Sequence, residues 1–449
     1  MSLKRFENWI FSFLLFALPW QLRHTFFFVD TGGSYFEYGS YHIYFSEILL
    51  ILLILVWLFR LKFDLRRVTV GPKTIFGPLL ALTALGFISA FWSIDPMLTI
   101  YNAVKFGLLL LFYLYIVNEV KSFAQITRPI LYGLLFQGAV AIGQYLNNHS
   151  LGLKIFGEPI LDPVERSIPV IELNGMRQLR AAGTLPHANL LGGYIVVALW
   201  LTIYEYYKAN DKKVKNFLLL ILTVGFIALL YSYARSAWLA LAVSGVIFSG
   251  LMVVSRKPKD SNCSKVNFLY PILAGLILVT AIWAERDLIL SRFNLDNRLE
   301  QISVTERIEG LGDFQEIFGQ NPILGQGLGV YSSSLAKTFP ESGIRRYEPV
   351  HNFYLVVVGE LGIVGFFLLI LLLGLVLREQ LRNLIRQITD RAISLVSIFS
   401  IAIFTSVLGL GIFDHYLWTL QQGRFLFFLI LATVSLGLML RRDFTPTPL

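Results

Sequence analysis

The sequence predicts an all-α protein that threads a lipid bilayer about twelve times, and three observations carry that expectation. Hydrophobic residues fill 55% of the 449 positions and charged residues only 15%, with a mean hydropathy of +0.65. That leaves too little polar surface to cover a water-soluble globule. Apolar runs long enough to cross roughly 30 Å of hydrocarbon, about 20 residues each, recur along the chain. Lysine and arginine alternate between dense and sparse loops, as they do when positive charge is retained on one side of a membrane.

The first run, near 7–22, starts with Lys4-Arg5 like an export signal, but Leu18-Pro19-Trp20-Gln21 lacks a small-x-small cleavage pattern, so it is expected to remain a helix. Runs follow near 42–60, 74–92, 98–118, 124–146, 188–207, 215–232, 235–254, 267–284, 350–377, 393–412 and 424–441. The loops after even-numbered runs are the basic ones. Arg60, Lys62, Arg66, Arg67 and Lys73 follow the second; Lys208, Lys212, Lys213 and Lys215 the sixth; Arg256, Lys257, Lys259 and Lys265 the eighth. Arg378, Arg382, Arg386 and Arg391 follow the tenth, and Arg441-Arg442 the last. Both termini are therefore expected in the cytoplasm of a multi-pass membrane domain spanning 1–449, with two long loops, 147–187 and 285–349, outside.

The formal charge of +9 is spread over short inner loops rather than gathered with aromatics on one surface, which argues against a nucleic-acid partner. One cysteine, Cys263, makes neither a disulfide framework nor a metal cluster. Asp313 and Glu316 share a helix face without further ligands, so no metal is expected.

On the outer side arginine replaces lysine: Arg166, Arg177, Arg180, Arg235, Arg286, Arg292, Arg298, Arg307, Arg345, Arg346 and Arg424, against only Lys154 and Lys337. A guanidinium binds phosphate or carboxylate through two parallel hydrogen bonds and stays charged, so this side is suited to an anion. Ordinary salt bridges to Glu158, Asp162, Asp296, Glu300 and Glu306 are the alternative.

Three arginines have informative settings. Arg235, in Tyr231-Ser232-Tyr233-Ala234-Arg235-Ser236, occupies a tight turn between two apolar runs, where snorkelling to the interface competes with a functional role. Arg307 follows Ser303-Val304-Thr305-Glu306, a capping-box pattern that predicts an amphipathic helix from about 303 to Gly319 and puts Arg307 in its first turn. Arg180 leads into Ala181-Ala182-Gly183-Thr184-Leu185-Pro186-His187-Ala188-Asn189, whose small residues allow close backbone approach to a ligand or mark a simple re-entry turn. The glycine-rich Gly325-Gln326-Gly327-Leu328-Gly329 follows a helix rather than a strand and is expected to be a tight loop, not a phosphate loop.

Arg345-Arg346-Tyr347-Glu348-Pro349-Val350-His351-Asn352 closes the second long loop where an apolar run begins, and ionisable groups at such an edge point to a functional site. His187 and His415 lie at comparable edges, where a histidine can simply bridge water and headgroups.

Taken in order, Arg180-Ala181-Ala182-Gly183 with Pro186-His187-Ala188-Asn189, Ser232-Tyr233-Ala234-Arg235-Ser236, Asn321-Pro322-Ile323-Leu324-Gly325-Gln326-Gly327, and His351-Asn352-Phe353-Tyr354 with Gly359-Glu360-Leu361-Gly362 resemble the O-antigen ligase and polymerase superfamily. These landmarks span about 180–365. The resemblance implies a GT-C-like membrane glycosyltransferase acting at the outer, periplasmic face of the bacterial cytoplasmic membrane. It implies an undecaprenyl-diphosphate-linked glycan as donor, and neither cofactor nor metal. The acceptor would be a lipid A-core, a protein or another glycan, as in lipopolysaccharide or polysaccharide biosynthesis.

By position the resemblance makes His351, Arg235, Arg180 and Arg307 the catalytic set. Asn352, Arg177, Arg298, Arg345, Arg346, His187 and Asn189 are expected to bind substrate. Arginines can stabilise a departing diphosphate without a metal, and histidine suits removal of the acceptor proton. Direct displacement would invert the anomeric centre. The spacings Arg177 to Gly193 and Arg346 to Gly362 resemble those of polymerases, while the His-Asn pair at a helix entrance is closer to ligases; protein O-oligosaccharyltransferase is a further member reading. A transporter of an anionic substrate is the contrasting class, but no internal repeat is visible and the arginines gather at one face.

Overall fold

The computed structural model describes residues 2–30, 35–165, 168–255, 269–294, 297–341, 344–389 and 393–439. Cys263, Arg166 and the basic residues 256–265 lie outside the described residues. The helices are α1 (Leu3–Ala17), α2 (Phe45–Arg60), α3 (Lys73–Ile88), α4 (Pro96–Glu119), α5 (Ala124–Asn147), α6 (Ala188–Lys208), α7 (Lys212–Ser232), α8 (Arg235–Ser255) and α9 (Leu269–Ala284). Then come α10 (Arg286–Ser291), α11 (Arg298–Gln320), α12 (Tyr331–Thr338), α13 (Phe353–Thr389), α14 (Leu395–Phe413), α15 (Tyr416–Thr419) and α16 (Gln421–Met439).

Every expected apolar run therefore contains a helix. Among the described residues nine helices are long and apolar enough to cross a membrane, α3 being counted with the short helical turn that extends it to Phe91. The others, α1, α2 and α9, have 15, 16 and 16 residues, short of the roughly 20 that a full crossing needs. Two hairpins add to the all-α expectation: β1 (Arg23–Asp30) with β2 (Tyr35–Tyr44), and β3 (Val170–Leu173) with β4 (Met176–Leu179). Asn174 and Gly175, both at positive φ, turn the second hairpin as the Asn-Gly dipeptide favours.

The bundle is organised around α16, which packs on α4, α13, α14 and α6, and in turn α14 packs on α6 and α8. On the other side α1 lies between α2 and α5, and α3 bridges α4 and α13. Where helices approach, small residues allow it: a Cβ on Gly192 would meet the Cβ atoms of Ala234 and Ala237 at 2.7 and 2.9 Å, the close approach that membrane helix packing exploits.

Two expectations are corrected in the second long loop. Helix α11 begins at Arg298, not near 303, because the Asn297 side chain accepts from the Leu299 N–H at 3.0 Å and caps it first. Arg307 thus sits two and a half turns inside the helix, out of reach of its N-terminal dipole. The apolar run from 350 is also not one continuous helix. Gly362 (φ 62°, ψ −166°) breaks α13.

The break is filled by the 321–329 loop. Gln326 and Gly327 N–H groups donate to the carbonyls of Gly359 and Glu360 at 3.0 and 2.8 Å, while Ile363 and Val364 N–H groups donate to Pro322 and Ile323 at 2.9 and 3.3 Å. Backbone groups freed by the kink are thereby satisfied inside protein, the condition for interrupting a helix at membrane depth. The glycine-rich segment is a tight loop, as expected, and its glycines are required. A Cβ on Gly325 (φ 72°) would sit 2.4 Å from the Glu360 carbonyl, and one on Gly362 would sit 2.2 Å from the Ile323 oxygen.

Gly362→Ala should therefore lower stability by about 2 kcal/mol or more, from left-handed backbone strain plus the clash. Gly374→Ala in the same helix, where nothing lies within 4 Å, should leave it unchanged or slightly raised. Thermal unfolding of the purified proteins in one detergent distinguishes the two.

Candidate active site

The end of α5, the start of α6, the α7–α8 turn, the start of α13 and the end of α14 meet at one end of the bundle, and the residues singled out from the sequence converge there. The α7–α8 turn is set by Tyr233, at positive φ, and leaves the buried Ser232 carbonyl facing the loop before α6. Arg180 fills that space: its Nε donates to the Ser232 carbonyl at 3.0 Å and its Nη2 to Asn189 Oδ1 at 2.6 Å. Asn189 passes the contact on, donating from Nδ2 to Asp414 Oδ2 at 2.9 Å. Asp414, at the end of α14, is the buried carboxylate at the centre.

His351 stands beside it. Its Nδ1 lies 3.9 Å from Asp414 Oδ1, too far for a hydrogen bond, and is buried without a hydrogen-bonding partner among the described residues. Nδ1 faces the carboxylate, and Nε2 is the nitrogen left to take a proton. Burial opposes the imidazolium, but the Asp414 charge, with Glu348 in support, outweighs it and leaves the His351 pKa raised. Asp414 itself is held well below the usual carboxylate range, since the His351 and His415 imidazoles outweigh its burial. The His415 ring lies 5.4 Å from that of His351, and burial takes its pKa down to about 3.

The remaining guanidiniums close the cluster. Arg235 reaches Glu300 at 2.9 Å and the Arg292 carbonyl, and Arg292 pairs with the other Glu300 oxygen. Glu300 is 2% exposed. Arg307 is half-buried on α11 and makes no hydrogen bond or ion pair among the described residues. Gly310, one turn further along that helix, rests against Val350, which places this face beside His351. Arg180, Arg235, Arg292 and Arg307 thus answer to two buried carboxylates, Glu300 and Asp414. The excess of positive charge is felt: burial and then the neighbouring Arg292 pull Arg180 down to about 9, and burial followed by Arg235 lowers Arg307.

Other expected substrate ligands have different neighbours. Arg177 donates to the Val164 and Glu165 carbonyls at 3.0 and 3.4 Å, bracing its own loop. Arg346 pairs with Asp313 at 2.8 Å and stacks over Phe339. Asn352 caps α13, accepting from Leu355 N–H at 3.0 Å and donating to the Ile412 carbonyl. It holds the helix entrance rather than the imidazole ring. His187 Nδ1 accepts from the Asn189 N–H at the start of α6, and burial lowers its pKa to about 4. Arg298 is exposed, and the side chain of Arg345 lies outside the described residues. The small residues 181–184 approach α5 and the α7–α8 turn: Gln144 and Gln137 accept from the N–H groups of 182–184 at 2.8–3.1 Å, and the Ala181 N–H donates to the Tyr231 carbonyl at 3.0 Å.

Sequence reasoning missed Asp414, Arg292 and Glu300 as members of the site. His351, Asp414 and His415 offer donor atoms within 4.8 Å of one another, near enough for a metal ion. Their surroundings disfavour one: Asp414 already accepts from Asn189 and the His415 N–H, His415 Nδ1 is bonded to Thr419 at 2.7 Å, and four guanidiniums repel a cation.

Residues 217–370 match the family model described as O-antigen ligase. The match covers Arg235, Arg292, Arg307 and His351, while Arg180, Asn189 and Asp414 lie outside it. No curated protein matches the chain.

Because the buried Glu300 holds the buried Arg292 and the part-buried Arg235, Glu300→Gln should cost about 3 kcal/mol, the low end of the penalty for breaking a buried pair from one side. Detergent-solubilised thermal unfolding checks this, and an unchanged midpoint means the pair is solvated in the protein.

Proposed function

We infer that this chain, whose residues 217–370 match the O-antigen ligase family model, is a membrane glycosyltransferase that moves a glycan from a polyprenyl diphosphate to a hydroxyl acceptor without a metal. The observation that carries the reading is Arg307, a half-buried guanidinium without an ion-pair partner among the described residues, close enough to His351 for the two charges to act on one another.

The chemistry follows from these groups. The acceptor oxygen bonds to the anomeric carbon as the bond from that carbon to the phosphate oxygen breaks, and the bonding pair leaves on the diphosphate. The acceptor proton passes to His351 Nε2. Arg307 meets the departing charge, with Arg235, Arg292 and Arg180 supplying a preorganised positive field that need not reorganise as the charge develops. Asp414 orients the imidazole and stabilises its protonated form. Displacement from the far side inverts the anomeric centre. In this reading the cluster faces the periplasm or outside.

A ligase is favoured over a polymerase because Arg177 and Arg346, which carry the polymerase-like spacings, are held by loop carbonyls and Asp313. The interrupted α13 is a feature shared with transporters. Here the gap is filled by the 321–329 backbone instead of opening a binding site, and the arginines lie at one end of the bundle.

In detergent, without two compartments, the purified protein should form product from a lipid-diphosphate glycan. His351→Ala should lower turnover about 10²- to 10⁴-fold at normal protein level, the usual range for a general base, and Arg307→Lys about 10²-fold. Full activity of His351→Ala sinks the proposed base.

The pH profile gives a second check. Because Asp414 raises the His351 pKa, turnover should fall as pH drops through a value above about 6.5. Asp414→Asn removes the raising charge, so its acid limb should move to lower pH while the plateau falls. A limb that stays in place means another group titrates.

A further inference from the structure

A second polar cavity lies beyond His415, reached by continuous contact from the arginine cluster. Arg180 bonds Asn189, Asn189 bonds Asp414, and Asp414 adjoins His415. The His415 ring then meets Thr419 and, at 6.0 Å, the ring of Tyr38. Thr419 and Tyr38 form the near wall of a cavity of about 50 Å³ enclosed by β2, α4, α12, α13 and α16. At roughly 10–15 Å³ per water on this measure, it holds the hydroxylated edge of one sugar residue. Glu37, paired with Arg23 and part-exposed, stands at its mouth.

The lining asks for a neutral, hydrogen-bonding occupant. Tyr331, Ser332 and Gln421 are each at least 96% buried, and Tyr331 Oη, Ser332 Oγ and Gln421 Oε1 have no hydrogen-bonding partner among the described residues, an arrangement that costs free energy unless something fills it. The charges, in contrast, are internally compensated. Lys105 is paired with Glu47 at 2.9 Å. Arg424 donates to Asn102 at 2.9 Å and has the buried Glu360 nearby as counter-charge. The tyrosine rings of 38, 44 and 101 line it as aromatic walls, with the Lys105 ammonium over one face of Tyr44 and of Tyr101. Balanced charge, hydroxyl and amide partners and aromatic faces suit a sugar and give a phosphate no advantage, the reverse of the arginine cluster.

We propose that this cavity seats a sugar residue of the acceptor, so that the nucleophile is a carbohydrate hydroxyl entering past Tyr38 and Thr419 while the donor diphosphate lies on the arginine side of His351. The assignment rests on the transfer reading above. It places the acceptor and the donor diphosphate on different sides of His351, so that the acceptor oxygen and the leaving diphosphate can approach opposite faces of the anomeric carbon.

The test uses the purified full-length chain with two probes, methyl α-glucopyranoside followed by saturation-transfer NMR and inorganic pyrophosphate followed by phosphorus line broadening. Ser332→Leu, which fills the cavity, should abolish glycoside saturation and retain pyrophosphate binding. Tyr331→Phe, which removes only a hydroxyl and keeps the ring, should weaken the glycoside about tenfold, the loss of one buried hydrogen bond, and decides the matter if Ser332→Leu does not fold. Arg307→Gln should weaken pyrophosphate and leave the glycoside unchanged. Absence of glycoside saturation from the unaltered protein, or equal binding by Tyr331→Phe, overturns the cavity assignment. Pyrophosphate binding that ignores Arg307→Gln contradicts the arginine reading and leaves the cavity assignment standing, so the two failures are distinguishable.

Discussion

Four guanidiniums held against two carboxylates at one end of an apolar bundle repel one another, and much of the local structure serves to hold them there. Glu300 ties Arg235 to Arg292, and Asn189 ties Arg180 to Asp414. Each tie crosses between elements far apart in sequence, so the cluster also fixes how α6, α8, α11 and α14 meet. Such pairs are weak sources of stability, because desolvation cancels much of the attraction. Their value is positional: they hold the guanidiniums together near His351, with Arg307 left without an ion-pair partner among the described residues.

The same logic of satisfying every polar group inside protein explains the surrounding backbone. Gly362 opens α13, and the 321–329 loop meets the exposed carbonyls and N–H groups. Gln144 and Gln137 on α5 do the same for the turn at 182–184. These devices bring the loop ahead of α6 and the entrance of α13 to fixed positions beside the α7–α8 turn. A site assembled from loops can thereby be as rigid as one built on helices.

Much of this was legible in the sequence, and what was not has a common cause. Apolar periodicity and length located each long helix, because lipid and core burial impose one composition over many residues. His351, Arg180, Arg235 and Arg307 stood out as charges at the edges of such runs, and they do come together. Asp414 stood at an edge too, directly before His415. Its importance comes from contacts with Asn189 and His351, 225 and 63 residues earlier, which no local pattern encodes. Local cues also competed. Asn297 captured the start of α11 ahead of Ser303, and Asn174-Gly175 announced a hairpin within a segment read only for its arginines. The Gly362 break was hidden because leucine and valine continue on both sides of it.

The account depends on where a lipid diphosphate sits. A density map of the full-length protein with a polyprenyl diphosphate bound tests this most directly. The account predicts phosphate oxygens within about 3 Å of the Arg307 guanidinium and at least one of Arg180, Arg235 and Arg292, with His351 Nε2 turned toward the anomeric position. Diphosphate bound instead between Lys105 and Arg424, or at the opposite end of the bundle, would contradict it.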